Sequence, residues 1–298
     1  MGLFDEAIAR VLPAVPRPVV QRFSQRYIAG ETVRDAVGVV QRLNGEGKLA
    51  TIDVLGEEIR TEEEARGIAA AYRDVFEAIE REGLGSNVSI KLTALGLNLS
   101  YDLCKENVES ILAGGKFVRI DMEDSSTTDD TLRLYRELRE DGHENLGVVL
   151  QARLRRTLDD VYAFADLRPN VRLCKGIYLE PASIAFTDYE AIRASFVKAL
   201  RALSAIDGAH VAIATHDEWL LEQALAQLPP TTNYTYEFQM LLGVREERAS
   251  ELVRGGHRVR IYVPFGQQWY EYSLRRLQEN PAMAGTIARS TVSRLLRR

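Results

Sequence analysis

Cysteine is nearly missing: Cys104 and Cys174 are the two present in 298 residues, far apart and with no histidine beside them at metal-ligand spacing. That excludes a disulfide framework and leaves no zinc signature, so both are expected as reduced thiols. An excess of positive charge is missing as well. Thirty-eight Lys and Arg face 43 Asp and Glu, for a net charge of −5, the wrong sign for a surface that neutralises phosphates, so no nucleic acid is expected as a partner. No apolar run approaches the ~20 residues needed to span a bilayer. The first stretch, MGLFDEAIARVLPAVPRPVV, carries Asp5 and Glu6 where a secretory signal would be positive. The expected location is the cytoplasm. No Gly-x-Gly-x-x-Gly follows a strand, which leaves a Rossmann dinucleotide site poorly supported, and no Pro/Gly/Ser-rich linker divides residues 1–298, which predicts a single domain.

What is present is a repeated alternation. Eight short β-branched runs occur: LATIDVLG, NVSIKLTAL, KFVRIDME, GVVLQARL, VRLCKGIY, HVAIATHD, NYTYEFQML and RVRIYVPFG, starting at Leu49, Asn87, Lys116, Gly147, Val171, His210, Asn233 and Arg258. Between them lie stretches such as TEEEARGIAAAYRDVFEAIEREG, with apolar residues three and four apart and a closing glycine. Parallel strands need crossover helices, so the alternation predicts an α/β fold, a (β/α)8 TIM barrel. A doubly wound open sheet is the competing architecture. Residues 1–48 are expected as an N-terminal helical extension packed on the barrel, with VVQRFSQRYIAGETVRDAVGVVQRLNGEG reading as helical. Polar residues gather toward the strand ends: Asp53, Lys91, Asp121 with Glu123, Gln151, Arg172 with Lys175 and Tyr178, Thr215 with His216, Gln239, and Tyr262. In a barrel that end is the mouth, where active sites form.

After the eighth run, WYEYSLRRLQENPAM reads as a helix stopped by Pro281, and Tyr272, Arg275, Arg276 and Glu279 fall on one face of it. Over a barrel mouth, two guanidiniums in a partly dry cavity demand an anion, and a planar carboxylate matches their paired donors. On a solvated face the same arginines would simply pair with Glu271 and Glu279. The last stretch, IARSTVSRLLRR, is basic and amphipathic. It reads either as a surface for an anionic bilayer or as a helix capping the barrel with its cationic end well placed for the dipole.

YVPFGQQWYEYSLRRLQENP, SIKLTALG, VRIDMEDS, LQARLRRT, RLCKGIYLEP, ATHD and YEFQMLLGVR, in this order and from about Leu49 to Pro281, resemble the proline dehydrogenases, and among these the monofunctional bacterial type. The resemblance implies a distorted (β/α)8 barrel with a final helix over the mouth and a basic helix at 282–298. It also implies FAD as cofactor and oxidation of L-proline to Δ1-pyrroline-5-carboxylate, with electrons passing to a membrane quinone. A pyrroline-5-carboxylate dehydrogenase would act downstream, and a peripheral contact with the inner membrane face would run through the C-terminal helix. Residue by residue, it implies that Arg275 and Arg276 clamp the substrate carboxylate beneath Tyr272, Tyr262 and Leu241. Lys91 would pair with Asp121 at the pocket floor, with Asp121 near the reacting end. The flavin would be held by Met122, Gln151, Arg172, Lys175, Gly176, Ile177, Tyr178, Thr215, His216, Gln239 and Glu279.

Two residues depart from the family pattern. Ile177 replaces a smaller residue, and Asp217 sets a negative charge where a cofactor phosphate might pass. A closing ion pair between Arg193 and an acid of TEEEAR is a further expectation. Two rival chemistries stay open on the residues alone. One is a Schiff-base lyase using Lys175 or Lys91; the other is a barrel that binds amino-acid carboxylates without turnover.

Overall fold

In the computed structural model, which describes residues 26–56, 59–227, 235–270 and 273, the β-branched runs pair into one closed ring of eight parallel strands in chain order. The first half alternates α1 (Val33–Gly45), β1 (Leu49–Val54), α2 (Glu62–Arg81), β2 (Ser86–Ile90), α3 (Tyr101–Leu112), β3 (Val118–Ile120), α4 (Thr128–Glu140) and β4 (Leu146–Gln151). The second half continues with α5 (Thr157–Ala163), β5 (Asn170–Cys174), α6 (Tyr189–Ser204), β6 (His210–Ala214), α7 (Glu218–Gln227), β7 (Thr235–Leu241), α8 (Glu246–Arg254) and β8 (Val259–Phe265). The open-sheet alternative is thereby excluded. Among the described residues no helix is long and apolar enough to cross a membrane.

Each strand sorts its side chains by the two-residue period. One set, including Ile52, Val88, Ile120, Val148, Leu173, Ile213, Phe238 and Ile261, faces the helices and joins them in one continuous core. The alternate set is largely polar yet buried: Thr51, Asp53, Ser89, Arg119, Gln151, Arg172, Glu237, Gln239 and Arg260. The hydrophobic core is therefore the shell between sheet and helices, and the inside of the ring is a hydrogen-bonded network. Arg119 shows how tightly that inside is filled. Its Nη1 donates to the Val148 and Asn170 carbonyls at 3.0 and 2.7 Å, and a Cβ added to Gly147 would fall 2.5 Å from that nitrogen.

The described part of the N-terminal extension is less helical than its sequence reads. Residues 26–32 form no helix. The reason is local: Gly30 takes φ +144, and Thr32 caps α1 in a reciprocal box with Asp35, whose Oδ2 accepts from the Thr32 backbone at 2.9 Å. The non-helical run is tied instead to the barrel by Ala29 N donating to Pro264 O at 2.9 Å. Residues 1–25 and 282–298 lie outside the described residues. α1 packs across β1 and β8, filling the seam where a helix following β8 would otherwise lie. Trp269, four residues past β8, packs with Tyr27, Ile28 and Leu55, at the end of the barrel where β1 finishes.

Candidate active site

The polar strand ends meet across the ring in one chain of contacts. On β1, Asp53 is fully buried and receives the Lys91 ammonium at 3.0 and 2.8 Å on its two oxygens. Lys91 also lies 3.4 Å from Tyr262 Oη on β8, and that hydroxyl donates to Asp121 Oδ2 at 2.8 Å. The other Asp121 oxygen accepts from Ser89 Oγ and from Arg172 Nη1, each at 2.5 Å. Arg172, on β5, reaches in the opposite direction as well, donating through Nε to Gln239 Oε1 on β7 at 2.5 Å. Its guanidinium also stands over the Tyr262 ring, 5.4 Å from the centroid.

This arrangement sets the charge states. Burial alone would raise the Asp121 carboxyl, but the Arg172 and Lys91 charges and the Ser89 and Tyr262 hydroxyls outweigh it and hold the group below the usual carboxylate range. The site thus presents an ionised carboxylate under two cations. Arg172 is held on two edges while its Nη2 is buried with no partner among the described residues. A buried, unmet guanidinium donor costs on the order of 1–3 kcal/mol, so the geometry calls for an acceptor from beyond the described residues.

A second cluster lies at the mouth. Asp217, following β6, is buried and accepts from Arg193 at 3.0 and 2.8 Å, from Tyr189 Oη at 2.5 Å and from Lys175 Nζ at 3.2 Å. Against the penalty of burial, these donors hold its carboxyl far below the ordinary value. Beside it, Gly176 takes φ +92, and a Cβ there would fall 2.7 Å from Gln151 Oε1. The residue must therefore be glycine on two counts.

The family model for proline dehydrogenase matches residues 36–289. The chain belongs to the proline dehydrogenase family. It is 40% identical over 280 residues to Proline dehydrogenase 1 of Bacillus subtilis (strain 168), with 91% of each chain covered. To the proline dehydrogenase of Deinococcus radiodurans it is 34% identical over 296 residues, covering 93% of this chain and 95% of that one. Among solved structures, proline utilization A (PutA) from Bdellovibrio bacteriovorus matches with a TM-score of 0.79 at 25% identity. That match covers 88% of this chain but 33% of the other, so the chain spans about a third of that larger protein.

Set against the residues that the resemblance to proline dehydrogenases singled out, the structure brings Lys91, Asp121, Arg172, Gln239 and Tyr262 into one network. Met122 is buried next to it. Gln151 spends its amide on the Glu123 carbonyl at 2.7 Å, while Thr215 Oγ1 accepts from Asp217 N at 3.1 Å. His216 Nε2 accepts from Leu241 N at 3.0 Å, which fixes Leu241 beside it. Tyr178 anchors the β5 loop by accepting Arg153 Nη1 on its carbonyl at 2.6 Å. Tyr272, Arg275, Arg276 and Glu279 lie outside the described residues.

Three expectations are corrected. Lys91 makes its ion pair with Asp53 instead of Asp121, because Arg172 takes the Asp121 carboxylate from across the barrel. Arg193 pairs with Asp217 and Glu190, not with an acid of TEEEAR: Glu64 is occupied as the capping partner of Thr61, and Glu62 pairs with Arg66. Asp217 is no open anion, since two cations, Arg193 and Lys175, meet its single carboxylate. Ile177 is exposed, at 47%, so its extra bulk meets no packed neighbour that would forbid it.

Sequence reading passed over Ser89, Arg119, Glu237 and Arg260, which line the same interior. The signal was available. Each lies two residues before a polar residue already noted, Lys91, Asp121, Gln239 and Tyr262, and positions two apart on a strand share a face.

Proposed function

We propose that this chain oxidises L-proline to Δ1-pyrroline-5-carboxylate with FAD as immediate electron acceptor and a membrane quinone as the final one. The observation that carries the reading is Arg172, a barrel-spanning guanidinium fixed on two edges and, among the described residues, lacking an acceptor on the third. The residues present fit a flavin. Arg172 offers the unmet donor, Gly176 lets the backbone close onto Gln151 with no side chain between, and Lys175 and Arg193 leave the mouth free of net negative repulsion toward a phosphate. Met122, Ile177, Tyr178, Thr215, His216, Gln239 and Glu279 complete the set assigned to the cofactor. When bound, FAD supplies a two-electron acceptor for the hydride that leaves the proline carbon beside nitrogen.

The chain's own groups then have separate tasks. Arg275 and Arg276 grip the substrate carboxylate, with Tyr272, Tyr262 and Leu241 packed over the ring. That two-point hold fixes the ring carbon for reaction. Exclusion of water from the floor, where the charges of Lys91 and Arg172 are already matched by Asp53 and Asp121, favours the amine in its neutral form, the one with a free nitrogen lone pair. Asp121 holds Arg172 and Tyr262 in place from below. Each turnover removes a hydride from carbon and a proton from nitrogen, the proton passing to solvent and two protons in all being taken up by the quinone as it becomes the quinol. The two electrons pass on to the quinone, and the imine passes to a pyrroline-5-carboxylate dehydrogenase. The basic stretch at 282–298 is assigned to a peripheral membrane contact.

Purified protein given L-proline and a soluble quinone should form a cyclic imine that aminobenzaldehyde traps as a coloured adduct, in step with quinone reduction. Borohydride fixation of substrate onto Lys91 or Lys175, without quinone reduction, would favour the lyase instead.

A further inference from the structure

Glu237 and Arg260 sit deeper in the barrel than the residues assigned above, and both are buried. Arg260 grips the Glu237 carboxylate through Nε at 2.7 Å and Nη2 at 3.1 Å, and anchors itself to the Ala50 carbonyl through Nη1 at 2.7 Å. Glu237 Oε1 in turn accepts from Gln239 Nε2 at 2.6 Å, and Gln239 Oε1 accepts from Arg172 Nε at 2.5 Å. We propose that Glu237 is a positioning residue: by fixing the polarity of the Gln239 amide it holds the Arg172 guanidinium in the orientation that the reaction needs.

A glutamine amide has two faces of opposite polarity and can turn over at little intrinsic cost. Here it lies between a carboxylate and a guanidinium, and one orientation satisfies both. Turned over, it would set its oxygen against Glu237 and its NH2 against Arg172, breaking two buried hydrogen bonds at once. Glu237 cannot swing to accommodate that, because Arg260 holds both of its oxygens and Arg258 approaches Oε2 at 3.4 Å. On the other edge Asp121 and Ser89 fix Arg172. An amide at position 237 would replace one acceptor oxygen by an NH2, set against Arg260 Nη2 in one orientation and against both Arg260 Nε and Gln239 in the other, so the Gln239 amide would no longer face a carboxylate whose two oxygens are held in place.

The inference rests on the reading of Arg172 as the flavin-facing group, and the test separates the two. In the flavin-loaded enzyme, Glu237→Gln is expected to lower kcat for L-proline about fivefold with KM changed less than about twofold, the pattern of a group that acts on the transition state more than on binding. It should also move the midpoint potential of the bound flavin in the same direction as Arg172→Met, by less. Gln239→Glu sets two carboxylates face to face and should lower kcat about tenfold. Adding Glu237→Gln again supplies a donor toward the carboxylate introduced at position 239, at the cost of setting that NH2 against Arg260 Nε, and should recover part of that loss, a non-additivity that distant structural effects do not give. This pair decides the matter should Glu237→Gln alone fail to retain flavin: a double variant no more active than Gln239→Glu overturns the proposal. A wild-type potential and kcat in Glu237→Gln beside a shifted Arg172→Met would overturn the positioning role and leave the flavin reading standing. An unshifted Arg172→Met would overturn both.

Discussion

Asp121→Ala is expected to lose catalysis and stability together. The carboxylate accepts from Arg172, Ser89 and Tyr262, and removing it leaves a buried guanidinium held by Gln239 on one edge. Breaking a buried pair from one side typically costs about 3–5 kcal/mol, because the surviving charge stays desolvated. With side-chain exposures of 9% for Arg172 and 13% for Asp121, solvent offers little relief. Arg172 and Tyr262 would both lose their fixed positions, so kcat/KM for L-proline should fall by at least about a hundredfold, given that each 1.36 kcal/mol of barrier is a factor of ten. Urea denaturation beside steady-state kinetics checks both halves. A denaturation midpoint unchanged from wild type would show that the Arg172 pair contributes nothing to the fold.

Arg275→Met and Arg276→Met are expected to weaken proline binding, each by at least about tenfold, roughly 1.4 kcal/mol. Methionine keeps much of the arginine stem and removes the paired donors that match a carboxylate. Both arginines lie outside the described residues, and the case rests on two facts. They share a helical face with Tyr272 and Glu279 by spacing. The barrel seam that would otherwise receive a helix after β8 is filled by α1, while Trp269 packs at the end of the barrel where β1 finishes. Titrating the flavin absorbance with a non-reacting cyclic acid such as tetrahydrofuroate measures the affinity directly. Unchanged affinity in both variants would remove the clamp.

The barrel was legible because its outward strand faces are apolar and β-branched while its helices carry an amphipathic period, and both signals are local in sequence. The start of α1 was legible in principle, since Thr32 and Asp35 stand at capping-box spacing. It was missed because the apolar period continues upstream of the cap. Partner choice inside the ring was not legible. Lys91 follows β2, whose neighbours β1 and β3 each offer a carboxylate, Asp53 and Asp121. Which one it takes is decided by Arg172 reaching Asp121 from β5, two strands away, a contact that no neighbour rule contains. The same holds for Arg193. Its partner Asp217 comes from a different βα unit, whereas Glu64 and Glu62 of TEEEAR are spent on their own helix start and a neighbouring arginine. Two-residue periodicity tells which side chains enter the barrel, and the meetings across it are set by reach and by competition among charges.

The central claim is that this barrel holds a flavin which L-proline reduces. The visible spectrum of the purified protein under anaerobic conditions tests it most directly. Flavin absorbance that bleaches on addition of L-proline and returns with a quinone is the result expected here. A colourless protein that binds L-proline without taking up FAD, or a bound flavin that L-proline leaves oxidised, would contradict it.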